Sequence, residues 1–547
     1  MNGIGKDIKG TLDETKDEKN NETKLFLYIF LLMFYIVVIL RNSWVGDDAY
    51  ITLRTVDNFI NGYGLRWNVI ERVQSYTNPL WMLCVSCVYF LSRNMYFSVM
   101  SLSVVISSLT VVIVLFKLSR TLLSAVLAVS ILSLSKAFVD FSTSGLENPL
   151  THFLLSLFFI VYFRSEGGVS PEKDKRDIFF LFLIVGLGVF NRMDTILLYA
   201  PPAVYYLFQK RVNLKKIGLA LSGFSVFIFW ELFSLFYYGF PFPNTTYAKL
   251  CTGIDGTKLI AQGFYYYINV IIWDPLAIIT IISILSYTFF SRPLNKFNFY
   301  SVLGICFYLL YILRIGGDFM NGRFFSSLIF IAVVLLCRLD FKLQIYNIIF
   351  FIMVIVIGLN MASPTLSVHT SKRGKDMGSL KLENIADNRA VYYDKTSLMK
   401  IGKDVTMPNC KQCRAARAMS KSGKKVLVRG MIGYYGYCAG PEMHIIDKCA
   451  LSDPLLARLP IPDRNKWNYS CYIRQVPPGY EESSISDRNV ITNRGLAEYW
   501  DKLCIITRGK CFSWTRFVTI LYFNLGIYDH LKDDYCTSSP VVVEQSP

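Results

Sequence analysis

Long apolar runs alternate with short polar or basic segments over the first two thirds of the chain. The first run, Leu25 to Leu40, follows a Lys-rich stretch and lacks the small-residue cleavage site of a signal peptide, so we predict an uncleaved signal anchor behind a cytoplasmic tail, residues 1–24. Later apolar runs cover residues 79–91, 97–116, 121–137, 149–163, 178–190, 195–208, 216–236, 263–289, 298–314, 324–338 and 343–361. Since a bilayer core of roughly 30 Å needs about 20 helical residues, the pattern predicts a polytopic membrane domain over residues 25–361 with about 11 helices.

Basic residues between the runs predict the orientation. Four connections are cytoplasmic under the positive-inside rule: 164–176, 209–216, 291–296 and 338–342. The alternate connections then face outward, together with the polar segment 41–78. Three runs lie between this segment and Glu147, whereas two outward ends require an even number of crossings. We therefore predict that the 121–137 run is short, re-entrant or tilted.

Beyond residue 361 the composition changes to mixed polar sequence with Gly, Pro and Cys, which predicts a soluble extracytoplasmic domain over residues 362–547. The strand-like Lys425 to Arg429 and glycine-rich turns favour mixed α/β structure there. Arg516 to Tyr528 is apolar and aromatic, which is typical of a core helix or of a membrane-surface helix, and we favour the core. The predicted fold class is mainly α: a transmembrane helical domain followed by a C-terminal α/β domain.

Cysteine usage agrees with an oxidising compartment. Eight of the 13 cysteines fall in the predicted outer domain: Cys410, Cys413, Cys438, Cys449, Cys471, Cys504, Cys511 and Cys536. An even number favours disulfides, whose connectivity stays open. The alternative is a zinc site at Cys410 and Cys413, but one CxxC without a second pair at ligand spacing is a weak signal.

Composition narrows the function classes. Hydrophobic residues make up 53% of the 547 positions, and many of the basic residues behind the net charge of +17 lie between apolar runs. We therefore assign the charge to membrane topology and predict no nucleic acid partner. The sequence contains no Walker loop, dinucleotide fingerprint, HExxH or GxSxG pattern, which argues against nucleotide use and against zinc-protease or serine-hydrolase chemistry. A donor carried in the membrane fits this composition.

Asp47 and Asp48 follow the first apolar run and open the polar segment. Adjacent carboxylates repel each other and are costly to desolvate, so a pair at a membrane edge indicates a charge or proton task. Either carboxylate could take the proton of a sugar hydroxyl as that oxygen attacks an anomeric carbon, and we prefer Asp48, which is nearer the predicted helix start. The alternative is that Asp48 only caps a helix. Binding of a divalent metal by the pair stays open.

Further candidates lie in the connections that are predicted to face outward. Glu147 is either a second acidic group of the site or a helix start beside Pro149. Gly316-Gly317-Asp318 allows close backbone approach beside an acid. Four cations could hold a lipid phosphate and stabilise it as a leaving group, although each could instead snorkel to lipid headgroups: Arg192, Lys249, Arg314 and Arg323.

Several motifs occur in an order that resembles a known family. The polar segment contains Asp47-Asp48-Ala49-Tyr50-Ile51-Thr52-Leu53-Arg54, Asn61-Gly62-Tyr63-Gly64-Leu65, Glu71-Arg72-Val73 and Tyr76-Thr77-Asn78-Pro79-Leu80-Trp81. Later motifs are Ser144-Gly145-Leu146-Glu147, Arg192-Met193-Asp194, Asn244-Thr245-Thr246-Tyr247-Ala248-Lys249, Gly316-Gly317-Asp318-Phe319-Met320-Asn321-Gly322-Arg323, Gly433-Tyr434-Tyr435 and Leu451-Ser452-Asp453-Pro454-Leu455-Leu456-Ala457-Arg458-Leu459-Pro460. The series resembles the membrane arabinofuranosyltransferases related to the terminal β-arabinofuranosyltransferase of actinobacterial cell walls. Some related bacterial sequences carry a flagellar motor control label.

The resemblance implies a GT-C glycosyltransferase of the bacterial inner (plasma) membrane with its active site on the outer face. Its donor would be polyprenyl-phosphoryl arabinofuranose, its acceptor a cell-envelope glycan or protein, and its base an Asp of the first loop in an inverting transfer. The predicted substrate-binding positions within the motifs are Tyr50, Arg54, Tyr76, Asn78, Glu147, Asn244, Tyr247 and Asp318. The Cys-rich outer domain and the Lys-rich N-terminus depart from the family, which leaves the acceptor open.

Two other classes compete with this interpretation. A transporter or flippase for a lipid-linked sugar would use the carboxylates for proton coupling, and it predicts functional acids deep within the apolar runs and an internal repeat. The acids of the candidate site instead cluster in the loops that are predicted to face outward, and we find no internal repeat in the sequence. A non-catalytic factor in envelope or flagellar assembly would tolerate the loss of catalytic groups. This chain retains every acidic signature among the motifs, so we predict the transferase.

Overall fold

The chain is mainly helical in a computed structural model that describes residues 4–167, 171–209, 213–339, 344–367, 385–402, 407–464, 467–469, 471–486 and 488–538. Parts of the predicted cytoplasmic connections and of the predicted outer domain lie outside these residues. The helices of the first part are α1 (Ile4–Arg41), α2 (Asp47–Ile60), α3 (Pro79–Ser92), α4 (Met95–Ile113), α5 (Leu122–Leu134), α6 (Lys136–Asp140), α7 (Asn148–Arg164), α8 (Pro171–Asn191), α9 (Ile196–Phe208), α10 (Leu214–Tyr237), α11 (Asn244–Leu250), α12 (Gly256–Trp273), α13 (Pro275–Phe290), α14 (Lys296–Ile315), α15 (Phe325–Leu336) and α16 (Ile345–Leu359).

Four of the described helical segments are long and apolar enough to cross a membrane: Asn21–Arg41, Met95–Leu118, Leu214–Tyr237 and Lys296–Ile315. The bent pair of α12 and α13 adds a fifth if it counts as one span. Other predicted runs form shorter apolar helices, such as α3, α5 and α15. A multi-pass membrane protein is therefore supported, while the number of crossings and the orientation of the termini stay predictions.

The predicted run 263–289 is broken in the structure. Its two helices, α12 and α13, meet at Asp274 with a bend of 106°. The Asp274 carboxylate accepts hydrogen bonds from the Ser135 hydroxyl at 2.6 Å and from the backbone N–H of Ala137 at 2.7 Å, so it ties the break to the start of α6. Pro275 follows at the first position of α13, where the missing N–H costs nothing.

The run 121–137 forms α5, whose 13 residues span about 20 Å at 1.5 Å per residue. That length is too short for a bilayer core of roughly 30 Å. The loops on either side of the α3–α6 segment meet, because the N–H of Gly46 donates to the carbonyl of Ser144 at 3.0 Å. An even number of crossings between these loops, as the sequence predicts, agrees with this contact.

The C-terminal part combines short helices with one small sheet. Its elements are α17 (Asn388–Thr396), α18 (Lys411–Lys421), β1 (Val426–Arg429), α19 (Gly433–Ala439), β2 (His444–Asp447), α20 (Tyr480–Ile485), α21 (Arg494–Thr507), α22 (Trp514–Asn524) and α23 (His530–Ser538). β1 and β2 pair in parallel with Val426 opposite His444, and β1 coincides with the predicted strand. Tyr392 and Tyr434 of this part lie in the same apolar core as the membrane helices.

Two disulfides occur among the described cysteines, Cys413–Cys438 and Cys449–Cys471. The first joins α18 to the C-terminal end of α19. Cys413 is therefore not a zinc ligand, and the preference for disulfides is confirmed at these four positions. The other cysteines of the C-terminal part form no disulfide within the described ranges: Cys410, Cys504, Cys511 and Cys536.

The prediction of a core helix at Arg516 to Tyr528 is wrong for most of that segment. The helix there, α22, buries only Arg516, Thr519 and Ile520. The guanidinium of Arg516 points inward to backbone carbonyls beside Ile520 and Phe523, whereas most of the other large apolar side chains of α22 point outward.

Candidate active site

α2 begins at Asp47, directly after Gly46, whose extended backbone occupies the cap position. Asp47 and Asp48 therefore stand in the first turn, where the helix dipole favours negative charge. The alternative that Asp48 is the helix cap is wrong, because Gly46 holds that position.

Asp47 is buried, and its carboxylate is fully engaged. Its Oδ1 accepts the N–H of Tyr434 at 2.8 Å, and its Oδ2 accepts the N–H of Gly433 at 3.2 Å. These are the first N–H groups of α19, which have no partner within their own helix. Burial raises the pKa of Asp47, and the two hydrogen bonds oppose that rise. A Cβ on residue 433 would lie 1.8 Å from the Asp47 carbonyl oxygen, so only glycine permits this approach.

Asp48 differs from its neighbour in both contacts and charge environment. It is half-buried, and its carboxylate has no hydrogen-bond partner among the described residues. Burial and the adjacent Asp47 raise the pKa of Asp48 to about 7, although the charges of Arg323 and Lys249 oppose the rise. A carboxyl that titrates near neutrality and keeps an unpartnered oxygen has the properties of a general base.

Glu147 is fully buried between two arginines. Its Oε1 accepts Nη1 of Arg192 at 2.5 Å and Nη2 of Arg323 at 3.2 Å, and its Oε2 accepts Nδ2 of Asn78 at 2.9 Å. Burial alone would raise the pKa of Glu147, but the two guanidinium groups outweigh burial and lower the pKa to about 2. Glu147 stands at the cap position of α7, yet its side chain makes no capping hydrogen bond. The side chain instead serves this ion network.

Both arginines of the network are already paired with carboxylates. Arg192 forms a two-pronged contact with Asp194 at 2.7 and 2.9 Å, and Arg323 contacts Asp318 at 3.3 Å. Lys249 is exposed and forms no ion pair within the described part of the chain, although its charge reaches Asp318. Together with Asp47, Asp48 and Glu147, the cluster holds five carboxylates and three cations. This excess of negative charge disfavours ionisation of the Asp48 carboxyl, which has no hydrogen-bond partner among the described residues.

Two predicted substrate-binding residues of α2 are closed off from solvent. Tyr50 is fully buried, and its ring packs against that of Tyr434 with centroids 5.0 Å apart. The guanidinium of Arg54 lies 4.1 Å from the centre of the Trp67 ring and donates to the carbonyl of Met443 at 2.7 Å. Both residues join the first polar segment to the C-terminal part, and their substrate contacts stay predictions.

The remaining predicted residues lie around or beyond the ion network. Tyr76 is buried, and its hydroxyl forms a hydrogen bond with that of Tyr238 at 2.8 Å. Asn244 donates to backbone carbonyls of the C-terminal part at 2.9 and 3.0 Å, and Tyr247 is half-buried beside it. Arg314 is exposed in the last turn of α14 and forms no ion pair among the described residues. The structure does not bring these residues into the network, and their substrate contacts stay predictions.

The described residues contain no group of three or more His, Cys, Asp or Glu side chains that could hold a metal ion. The two oxygens of Asp47 face N–H donors, whose positive ends would repel a cation. The geometry of the described residues therefore supplies no ligand set for a divalent metal at Asp47 and Asp48.

Sequence reasoning missed the partners of the predicted acids. Asp194 belonged to a motif, and its position two residues after Arg192 could have indicated an ion pair. The N–H donors of Gly433 and Tyr434 leave no side-chain signal, because backbone groups are the same at every residue. The only sequence signal for this contact is Gly433 itself, because glycine permits a close backbone approach.

Comparison with known proteins assigns part of the chain to a class of membrane enzymes. Residues 76–234 match the family model described as dolichyl-phosphate-mannose-protein mannosyltransferase. This stretch runs from the end of the first polar segment through most of α10, and it includes Glu147 and Arg192. The likeness to GT-C glycosyltransferases rests on this stretch.

Two curated relatives show a resemblance to a more specific kind of glycosyltransferase. The chain resembles terminal beta-(1->2)-arabinofuranosyltransferases of Mycobacterium tuberculosis and Corynebacterium glutamicum, at 25% identity over 319 and 316 residues. These matches cover 52% and 51% of this chain and 50% and 46% of the relatives, so the chain spans about half the length of the curated relatives it matches. Among solved structures, ArnT from Cupriavidus metallidurans bound to undecaprenyl phosphate aligns with a TM-score of 0.45 at 12% identity, covering 78% of this chain and 86% of that chain.

Proposed function

We propose that the protein is an integral-membrane glycosyltransferase that moves a pentose, arabinofuranose, from a polyprenyl-phosphate donor to a glycan or protein of the cell envelope on the outer face of the membrane. The matched family model, whose description names a dolichyl-phosphate sugar, supports a lipid-linked donor. The names of the curated relatives support arabinofuranose. The ion network, which lies partly within the matched residues, supports a catalytic role.

In the proposed reaction one acceptor hydroxyl displaces the lipid phosphate with inversion. The hydroxyl oxygen forms a bond to the anomeric carbon while the bond from that carbon to the phosphate oxygen breaks. The hydroxyl proton passes to the Asp48 carboxylate, and polyprenyl phosphate departs with the bonding electron pair. A single displacement needs one base and a cation near the leaving oxygen.

The observation that carries the assignment of the base is the contrast between the two adjacent acids. Asp47 uses both oxygens to accept backbone N–H groups, which leaves its carboxylate with a structural task. Asp48 has an unpartnered carboxyl whose pKa lies at about 7. A base with a pKa near the working pH combines a large ionised fraction with useful basicity.

The choice of phosphate ligand follows from charge pairing. Arg192 and Arg323 each face two carboxylates, so their positive charge is already compensated. Lys249 is exposed beside the same cluster and has no ion-pair partner in the described residues. We therefore assign the donor phosphate to Lys249, with the two arginines holding Glu147 in place.

The test uses purified protein in nanodiscs with synthetic polyprenyl-phosphoryl arabinofuranose and a panel of envelope glycans and pilin-like proteins. We expect acceptor-dependent release of polyprenyl phosphate and a product that gains one pentose in mass. Asp48→Asn should lower kcat by about 10²- to 10⁴-fold, the usual contribution of a general base. Lys249→Gln should weaken donor use while leaving the fold intact, because the side chain is exposed.

Asp57→Asn is the matched control. Asp57 lies on the same helix but accepts the Tyr89 hydroxyl at 2.6 Å, a hydrogen bond that asparagine can also accept. This variant should keep normal turnover. Normal turnover in folded Asp48→Asn protein would overturn the assignment of the base, and release of polyprenyl phosphate without any pentose transfer across the panel would overturn the proposed acceptor class.

A further inference from the structure

Ile520 and Phe523 of α22 pack inward against the C-terminal core, but the other large apolar side chains of this helix point away from the protein. Trp514, Phe517 and Leu521 are exposed and recur at the spacing of one helical face, and Leu525 continues this face just beyond the helix. Trp514 is 81% exposed and Leu525 66% exposed. The opposite face carries Arg516 and is buried. A surface helix of a soluble domain has the reverse arrangement, with its apolar face inward.

Arg516 fixes this helix against the end of a membrane span. Its Nη1 donates to the carbonyl of Phe236 at 2.7 Å, and its Nη2 donates to the carbonyl of Tyr237 at 2.8 Å. These carbonyls belong to the last turn of α10, where no intrahelical N–H is available. The positive charge also suits the negative end of the helix dipole. The inward arginine therefore attaches α22 to the point at which α10 ends.

The exposed face of α22 is continuous with apolar surface on α10. The ring of Phe236 packs against Phe512, with centroids 5.1 Å apart, and against Phe517, with centroids 6.1 Å apart. Further along α10, Phe229 and Leu232 are exposed on a helix that is long and apolar enough to cross the membrane. Lipid chains cover such side chains in a spanning helix. The same lipid layer therefore borders α22.

The length and composition of α22 suit the surface of a bilayer. Its 11 residues extend about 16 Å, roughly half of the hydrocarbon thickness. Trp514, Phe517 and Tyr522 are of the aromatic type that prefers the headgroup region, and the exposed Lys510 precedes the helix on the chain.

We propose that α22 is an amphipathic membrane-surface helix that lies in the headgroup region of the leaflet at the Tyr237 end of α10, with Trp514, Phe517 and Leu521 inserted among lipid chains. The occupant of this apolar face is phospholipid. The inference does not depend on the proposed reaction, because it rests on α10 and α22 alone.

Photo-crosslinking tests this placement in the full-length protein. A diazirine amino acid is introduced at Leu521, at Phe229 as the lipid-facing reference, and at Glu482 as an exposed charged position on α20. Each variant is reconstituted in nanodiscs of phosphatidylcholine and phosphatidylglycerol and irradiated, and adducts are mapped by mass spectrometry. The substituted side chains are exposed, so the variants should fold.

We expect phospholipid adducts at positions 521 and 229 and water adducts at position 482. Water adducts alone at position 521, beside lipid adducts at position 229, would overturn the proposal. Adducts from position 521 to a second copy of the chain would also overturn it, because the face would then be a protein interface. As a second measurement, Trp514→Ser with Leu521→Ser should reduce the protection of α22 from proteolysis in nanodiscs, whereas Glu482→Ser should not.

Discussion

The charges around Asp48 allow its proposed role as base to be tested by two substitutions of opposite effect. Asp47→Asn removes a neighbouring negative charge, which should lower the pKa of Asp48 from about 7. Lys249→Gln removes a positive charge that opposes the rise, which should move the pKa of Asp48 further up. A residue with a purely structural task would not shift the pH dependence in either direction.

The expected change of kcat/KM with pH follows from the titration of Asp48 alone. With a pKa of about 7, roughly one Asp48 in ten is ionised at pH 6 and roughly nine in ten at pH 8. Because the ionised form is the base, kcat/KM of the unsubstituted protein should rise about tenfold between these values. The ratio of kcat/KM at pH 6 to that at pH 8, about 0.1 initially, should increase towards 1 in Asp47→Asn and decrease in Lys249→Gln.

The assay follows release of polyprenyl phosphate in nanodiscs at several pH values, with donor below KM so that the free enzyme is titrated. Thermal unfolding of each variant is measured at the same pH values, since Asp47→Asn also weakens the contact with Gly433. Equal pH profiles for the unsubstituted protein and both variants, all folded, would refute the role of Asp48. A profile that moves in the same direction in both variants would refute the electrostatic reasoning.

Three further substitutions test the architecture of the site, each read out by thermal unfolding in detergent. Glu147→Gln should lower the free energy of unfolding by about 3–5 kcal/mol, because it deprives two largely buried arginines of the carboxylate between them. Since the pKa of Glu147 is lowered to about 2, its stabilisation is complete above pH ~4.5 and is lost as the pH falls towards 2, and the variant should lack that part of the acid dependence. Gly433→Ala should lower the midpoint sharply, because the new Cβ meets the Asp47 carbonyl oxygen. Cys413→Ala with Cys438→Ala should lower the free energy of unfolding by about 3.5 kcal/mol, the chain-entropy value for cysteines 25 residues apart.

Each of these substitutions has a control of the same chemical type. Glu481→Gln alters an exposed carboxylate, Gly218→Ala adds a Cβ where nothing lies within 4 Å, and Cys504→Ala removes a thiol that forms no disulfide. All three should change the unfolding midpoint little. If Gly433→Ala were no worse than Gly218→Ala, the close contact between α2 and α19 would be wrong.

The sequence predicted most of the ion network, because charged side chains at a membrane edge are rare and costly. Asp48, Glu147, Arg192 and Arg323 were all singled out, and the structure brings their charges together. The pairing itself was not predictable, since residues 147 and 323 come together only through the packing of helices that are distant along the chain. Only this pairing distinguishes compensated arginines from the exposed Lys249.

Burial is what the sequence could not show for Tyr50, Arg54 and α22. Tyr50 and Arg54 have side chains that could bind a sugar, but α19 and the loop that contains Trp67 cover them. For α22, the apolar composition predicted a buried helix, whereas the inward face carries Arg516 and its carbonyl partners beside Ile520 and Phe523. Composition gives the number of apolar residues in a helix, but not which face of the helix packs against the protein.

The contact between Asp47 and the start of α19 joins residues that lie 386 and 387 positions apart along the chain. During synthesis, the membrane helices emerge long before the donors of these hydrogen bonds exist. The acidic pair therefore reaches its final charge state only after the C-terminal part has been made, moved to the same side of the membrane and docked.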